Sequence, residues 1–138
     1  RAARIIVGAR NFGCGSSRAA AVFAIDSNDF RAVAAPSYGD IFFNNCFQDG
    51  ILPVLLDEVT VDGLRAALYA EPGGSLSIDL ETQILIGPDG TRHPFDVDPF
   101  RKHCLLNGLD DIQLTLQHEA EMEAFEVAYR DEMSWLYR

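Results

Sequence analysis

Nine residues near the start, Arg10-Asn11-Phe12-Gly13-Cys14-Gly15-Ser16-Ser17-Arg18, combine two adjacent hydroxyls, a guanidinium and two closely spaced glycines. A β-branched run, Ile5-Ile6-Val7, leads into them, and an apolar helix pattern, Ala19-Ala20-Ala21-Val22-Phe23, leaves them. A strand–loop–helix junction of this composition suits an anion. The first backbone N–H groups of a helix have no partner inside it, and its dipole adds positive potential there. Gly13 and Gly15 are expected to let a ligand approach the backbone closely.

The loop fits neither of the common phosphate signatures. Gly8 and Gly13 have the Walker separation, but Cys14 and Gly15 follow where Lys and Ser or Thr are required. The dinucleotide fingerprint fails too, because Arg18 stands where a third glycine belongs. Two hydroxyls and one bidentate cation suit a carboxylate. The plainer alternative is a helix N-cap by Ser16 or Ser17, with Arg18 in a surface ion pair.

The loop resembles the signature of the aconitase swivel-domain family, most nearly the small subunits of 3-isopropylmalate dehydratase (isopropylmalate isomerase). Further blocks follow in the family's order. Ala34-Ala35-Pro36-Ser37-Tyr38-Gly39-Asp40-Ile41-Phe42-Phe43-Asn44-Asn45-Cys46 and Gly50-Ile51-Leu52-Pro53-Val54 resemble the next two. Phe100-Arg101-Lys102-His103-Cys104-Leu105-Leu106-Asn107-Gly108-Leu109-Asp110-Asp111-Ile112, with Leu114-Thr115-Leu116-Gln117-His118, resembles the C-terminal block. The likeness runs from about Ile5 to Phe125. It departs at Ala19 and Ala20, where the family usually carries an acid and often a histidine.

The resemblance implies a fold and a set of roles. The fold would be α/β: a single aconitase-type swivel domain over 1–138, with a mixed β-sheet, barrel-like core flanked by helices. Ser16 would be the catalytic base; Ser17, Arg18, Gly15 and Asn11 would bind substrate. No cofactor or metal is expected on this chain, and a 4Fe-4S cluster is expected on a large subunit, its heterodimer partner. The substrate would be a small hydroxy diacid. A further N-terminal segment, with a loop that recognises substrate, is expected to be missing from this sequence. Two other readings are a small subunit acting on a homoaconitate- or methylmalate-type acid, and a non-catalytic anion-binding module.

Composition bounds the partners. The 138 residues, 48% hydrophobic and 23% charged, suit a globular domain with its own core. A net charge of −10 opposes nucleic acid and anionic membrane surfaces as partners. No apolar run reaches the length of a membrane span, and a cytoplasmic location is expected. Three widely spaced cysteines fit neither a disulfide framework nor a paired metal clip. Cys46 and Cys104 read as buried thiols, and Cys14 as an oxidation-sensitive loop thiol without a catalytic part. His93 reads as a strand-edge surface residue, His103 as part of a polar helix face and His118 as a capping residue. Asn44 and Asn45 would bond the neighbouring loop or face water, and Trp135 and Tyr137 would pack on the core or a partner.

These residues require positioning by alternating elements. Helix patterns cover about Ser17 to Asp26, apolar on nearly all sides and therefore expected to be sandwiched, and Ser37 (as cap) to Gln48, ended by Gly50. Strands are expected at Arg31–Ala35 and Leu52–Leu56. Thr60 is expected to open a third helix, with Leu64, Ala67 and Leu68 on one face and Pro72-Gly73-Gly74 as its stop. Ser75–Asp79, Thr82–Ile86 and Arg92–Val97 read as strands, the last two joined by a Pro88-Asp89-Gly90 turn. Asp98-Pro99 opens a helix that Gly108 closes, and a last amphipathic helix carries Met122, Phe125 and Tyr129.

Overall fold

Ala32-Val33-Ala34-Ala35 is wholly buried, as a strand covered on both faces must be. In the computed structural model, which describes residues 3–15 and 19–137, this segment is the centre of a parallel sheet. Strand β1 (Ile5–Val7) and β3 (Leu52–Leu55) flank β2 (Ala32–Ala35), pairing Ile6 with Val33 and Val33 with Pro53. Pro53 has no N–H to give a further strand, and β3 is accordingly at the sheet's edge.

Alternation along β2 and β3 sorts side chains to two cores. Ala32, Ala34, Leu52 and Val54 meet Val61 and Leu64 of α3 (Glu58–Ala70) on one face. Val33 meets Val22 of α1 (Ala20–Asp26), Phe42 and Cys46 of α2 (Asp40–Gln48), and Ile51 on the other. A second sheet, antiparallel, orders β4 (Ser77–Asp79), β5 (Ile84–Ile86) and β6 (Arg92–Pro94) in sequence. Leu85 from β5, and Phe95 just after β6, enter the same core as α3. The α/β class stands: parallel and antiparallel strands share a core but hydrogen-bond as two three-stranded sheets.

Several local expectations need revision. α1 starts at Ala20, three residues later than the pattern suggested, and is not sandwiched. Val22 is buried, while its neighbour Phe23 is 55% exposed. Ser37 does not cap α2: that helix starts at Asp40, with Gly39 in the cap position and no side-chain cap. α3 begins at Glu58 because Asp57 caps it, accepting from the Thr60 N–H at 2.9 Å and the Thr60 hydroxyl at 2.6 Å. Thr60 is therefore the capped residue, not the opener. Strands β4, β5 and β6 are shorter than the patterns that announced them.

Asp98 and Gly108 bound α4 (Pro99–Asn107) as expected, with Asp98 accepting from the Arg101 N–H at 3.0 Å. Arg101 ties this helix to α2: its guanidinium lies 4.6 Å from the Phe47 ring centroid and donates to Asn44 Oδ1 at 2.8 Å. Asn44 thus bonds α4, neither the neighbouring loop nor water alone.

By internal contacts the chain divides into two compact units, Arg1–Gly108 and Leu109–Arg138. The second holds two helices where one was expected: α5 (Asp111–Leu116) and α6 (Glu119–Glu132), before a 3-10 turn at Ser134–Tyr137. A capping box, Asp110 with Gln113, starts α5. Phe125 and Tyr129 stack on α6 with ring centroids 5.6 Å apart.

Candidate functional site

In an open parallel sheet, the loops leaving the C-terminal ends of adjacent strands come together, and ligands bind there. At this end the loop after β1 and the turn after β2 are joined by a short extension of the ladder. Gly8 N–H donates to Ala34 O at 2.8 Å, Phe12 N–H to Ser37 O at 2.9 Å, and Gly39 N–H to Phe12 O at 2.9 Å. Phe12 and Tyr38 thereby form an isolated parallel bridge beyond the strands proper.

Asn11, where the chain leaves the ladder, takes a left-handed φ of 56°, a region Asn tolerates better than most residues. Its N–H donates to Ser37 Oγ at 2.8 Å, and the Ser37 hydroxyl donates to Asn11 Oδ1 at 3.3 Å. Cys14 N–H donates to Asn11 O at 3.2 Å, closing the turn. Arg10 makes an exposed ion pair with Glu58 at 3.4 Å, a weak tie to the start of α3.

The glycines of this loop have different reasons. Gly13 has φ +74°, and a Cβ there would lie 2.2 Å from Cγ of Phe42, which is 2% exposed. Packing within the chain, not ligand approach, requires Gly13. A Cβ on Gly39 would lie 2.8 Å from Cα of Cys14, so the two backbones touch. Gly15 is otherwise: a Cβ would meet nothing within 4 Å, and its φ is outside the left-handed range. Nothing within the described residues accounts for a glycine at that position.

An aromatic block supports the loop from beneath. Phe12 meets Phe42 edge-on at 5.5 Å, and Tyr38 stacks on Phe42 at 6.3 Å. The Tyr38 hydroxyl donates to Val33 O at 2.6 Å and Val54 O at 2.7 Å, pinning the turn to β2 and β3. Burial pushes its pKa far above the ordinary tyrosine value, so this hydroxyl stays protonated as a structural donor. Burial likewise pushes the Cys46 thiol up to about 12.

Ser16, Ser17 and Arg18 lie outside the described residues. The chain is described again at Ala19, which occupies the cap position of α1 and offers no side-chain cap bond. At seven residues α1 has a small dipole, so side chains and loop N–H groups must carry most of any attraction for an anion. Of the other named residues, Asn11 and Gly15 are exposed on the loop. Cys14 is exposed, Cys46 is buried in the core and Cys104 is half-buried on α4. Among the described residues no three His, Cys, Asp or Glu side chains gather as metal ligands.

The histidines stand apart from the loop's hydrogen bonds. His93 is half-buried on β6, facing a cleft of about 250 Å³ that Thr60, Leu64 and Thr91 also line. His103 pairs with Asn107 at 3.2 Å, and His118, at the N-terminal end of α6, contacts Glu121 at 3.2 Å. Sequence reasoning missed Ser37, Tyr38 and Gly39 as site residues. The signal was present: a Pro-Ser-Tyr-Gly turn after the strand that must neighbour β1 in a βαβ unit.

Comparison with known proteins agrees with this geometry. Residues 1–59, which contain both loops, match the Aconitase C-terminal domain family. Residues 62–99 match the LeuD_N family, and residues 111–138 match the C-terminal domain of 3-isopropylmalate dehydratase small subunits. A 3-isopropylmalate dehydratase small subunit from Methylibium petroleiphilum is 52% identical over 136 residues, 99% of this chain. The chain is similar along its length to 3-isopropylmalate dehydratase small subunits. It spans 63% of the length of that relative. A crystal structure of 3-isopropylmalate dehydratase from Methanocaldococcus jannaschii matches the fold with a TM-score of 0.66, at 24% identity over 87% of this chain and 67% of that one. Within the small-subunit family frame, the helical unit Leu109–Arg138 corresponds almost residue for residue to the C-terminal domain match.

Proposed function

We propose that this chain serves as the small subunit of a 3-isopropylmalate dehydratase, a hydro-lyase that interconverts 2-isopropylmalate and 3-isopropylmalate in leucine biosynthesis. The observation that carries the proposal is the Asn11–Gly15 loop at the C-terminal end of a parallel sheet, in a chain 52% identical to a subunit of that name. It would act in the cytoplasm with a large subunit. No helix among the described residues is long and apolar enough to cross a membrane.

Dehydration of a hydroxy diacid removes a proton from carbon beside a carboxylate and expels a hydroxyl. Ser16, as its alkoxide, takes that proton. A serine alkoxide is inaccessible in water near neutral pH, so the site must stabilise it with oriented positive charge and N–H donors. Arg18 supplies charge and clamps a substrate carboxylate through its planar fork, and Ser17 adds a hydroxyl contact. Gly15 leaves the backbone open to close approach, matching the free space at its Cα. Asn11 reaches substrate from the loop edge while its main chain is held by Ser37. A 4Fe-4S cluster, expected on the large subunit, would supply Lewis-acid help to the departing hydroxyl.

The test is turnover by the full-length small subunit with its large partner, followed through the ultraviolet absorbance of the unsaturated diacid formed from 3-isopropylmalate. Ser16→Ala is expected to abolish the signal while both subunits still associate, and Arg18→Lys to raise KM strongly. Near-normal turnover by Ser16→Ala removes the base role. Turnover of a different hydroxy diacid instead of isopropylmalate keeps the family and changes the substrate.

A further inference from the structure

The described part of the loop, residues 11–15, does not shape itself. Among the described residues, the hydrogen bond of residues 11–14 internal to the loop is Cys14 N–H to Asn11 O; the others go to the turn after β2. That turn meets the loop with the Tyr38 ring, edge-on to Phe12, and with Ser37, whose hydroxyl both accepts from and donates to Asn11. Asn11 is also the loop's one non-glycine residue with positive φ among those described, where a non-glycine residue needs outside support to stay. Gly39 completes the mould: a Cβ there would lie 3.1 Å from both Cys14 N and Gly13 O, so any side chain would press on the loop's backbone and not on the flexible end of a side chain.

We propose that Ser37 and Gly39 are positioning residues of the dehydratase site: Ser37 latches Asn11 in its left-handed conformation, and Gly39 sets the height of Cys14, two residues before Ser16. The inference rests on the functional reading above. Ser37 touches neither substrate nor reacting atoms in this scheme; it acts through the loop. The latch is polar, and Asn11 is exposed, so it contributes little to overall stability. It orients the loop instead, and a displacement of about 1 Å at a reacting group costs on the order of a hundred-fold in rate.

Ser37→Ala, Ser37→Thr and Gly39→Ala are made in the full-length small subunit and assayed with the large subunit. Three quantities are read: kcat with KM, the melting temperature, and amide hydrogen exchange at Asn11. Ser37→Ala is expected to lower kcat roughly ten- to a hundred-fold with little change in KM, to leave melting unmoved and to speed exchange at Asn11. Ser37→Thr keeps the hydroxyl and is expected to restore most of kcat and the slow exchange. Gly39→Ala is expected to lower kcat at least as far. Wild-type kcat in Ser37→Ala overturns the proposal, as does a loss that Thr fails to restore or that only follows melting. If the wild-type pair turns over no hydroxy diacid, the functional reading fails by itself. Exchange at Asn11 still decides the latch, and unchanged exchange in Ser37→Ala refutes it.

Discussion

Replacing Gly13 and Gly15 by alanine, one at a time, separates a glycine needed by the chain from one needed by its ligand. At Gly13 the new Cβ would sit 2.2 Å from Phe42 Cγ and 2.7 Å from Phe42 Cβ. Apolar carbons prefer about 3.5–4.0 Å, so about 1.3 Å of overlap must be relieved. Phe42 is 2% exposed and packed on Phe12 and Tyr38, leaving its ring no open side. Overpacking of this kind costs about 1–3 kcal/mol, and holding alanine at φ +74° adds about 1–2 kcal/mol. Alanine also stiffens the unfolded chain, returning about 0.4–1 kcal/mol. The net loss centres near about 3 kcal/mol, a large share of a domain's stability, and shifts a urea midpoint by roughly 1–2 M.

At Gly15 the same substitution meets nothing within 4 Å and needs no unusual φ. Stability is expected to stay within about 0.5 kcal/mol of the parent, or to rise slightly. Turnover with the large subunit is expected to fall in Gly15→Ala, because the added methyl occupies the space reserved for substrate. The assay is urea unfolding followed by far-ultraviolet circular dichroism, with the two-subunit turnover run on the same preparations. Equal stability of the two variants would refute the packing argument at Gly13. A stable Gly15→Ala protein with unimpaired turnover would refute the ligand argument at Gly15.

Tyr38→Phe leaves Val33 O and Val54 O without their shared donor and is expected to cost about 1–3 kcal/mol in urea unfolding, without rearranging the ring stack. Stability is also expected to fall as pH rises above about 8.5, because the unfolded chain then gives up the Cys46 proton that the folded chain keeps to about 12. This contribution is fully present below pH about 8.5 and declines by about 1.4 kcal/mol per pH unit above it; urea midpoints between pH about 8 and 10.5 check it, and Cys46→Ala should flatten the profile. Asp98→Ala removes the cap of α4 and is expected to cost about 1 kcal/mol, read from the thermal midpoint.

Residue order alone determined whatever depends on near neighbours. Asp98-Pro99 and Gly108 mark both ends of α4, and Pro88-Asp89-Gly90 turns β5 into β6, because caps and turns are decided within about four residues. The Asn11–Arg18 motif announced its family for a similar reason: a ligand loop keeps its chemistry in a contiguous string. Tertiary structure decided what each of those residues leans on. Ser37 is a sensible helix cap by local rules, yet it serves Asn11, 26 positions away, because parallel pairing of β1 with β2 brings their two C-terminal ends together. α1 looked enclosed from its apolar residues, but of these only Val22 is buried, packed with Val33 of β2 and with Phe42 and Cys46 of α2. Gly13 and Gly15 are indistinguishable as letters two apart. Only the position of Phe42 makes one a packing requirement and leaves the other open, since a steric contact exists between surfaces that the folded chain alone brings together.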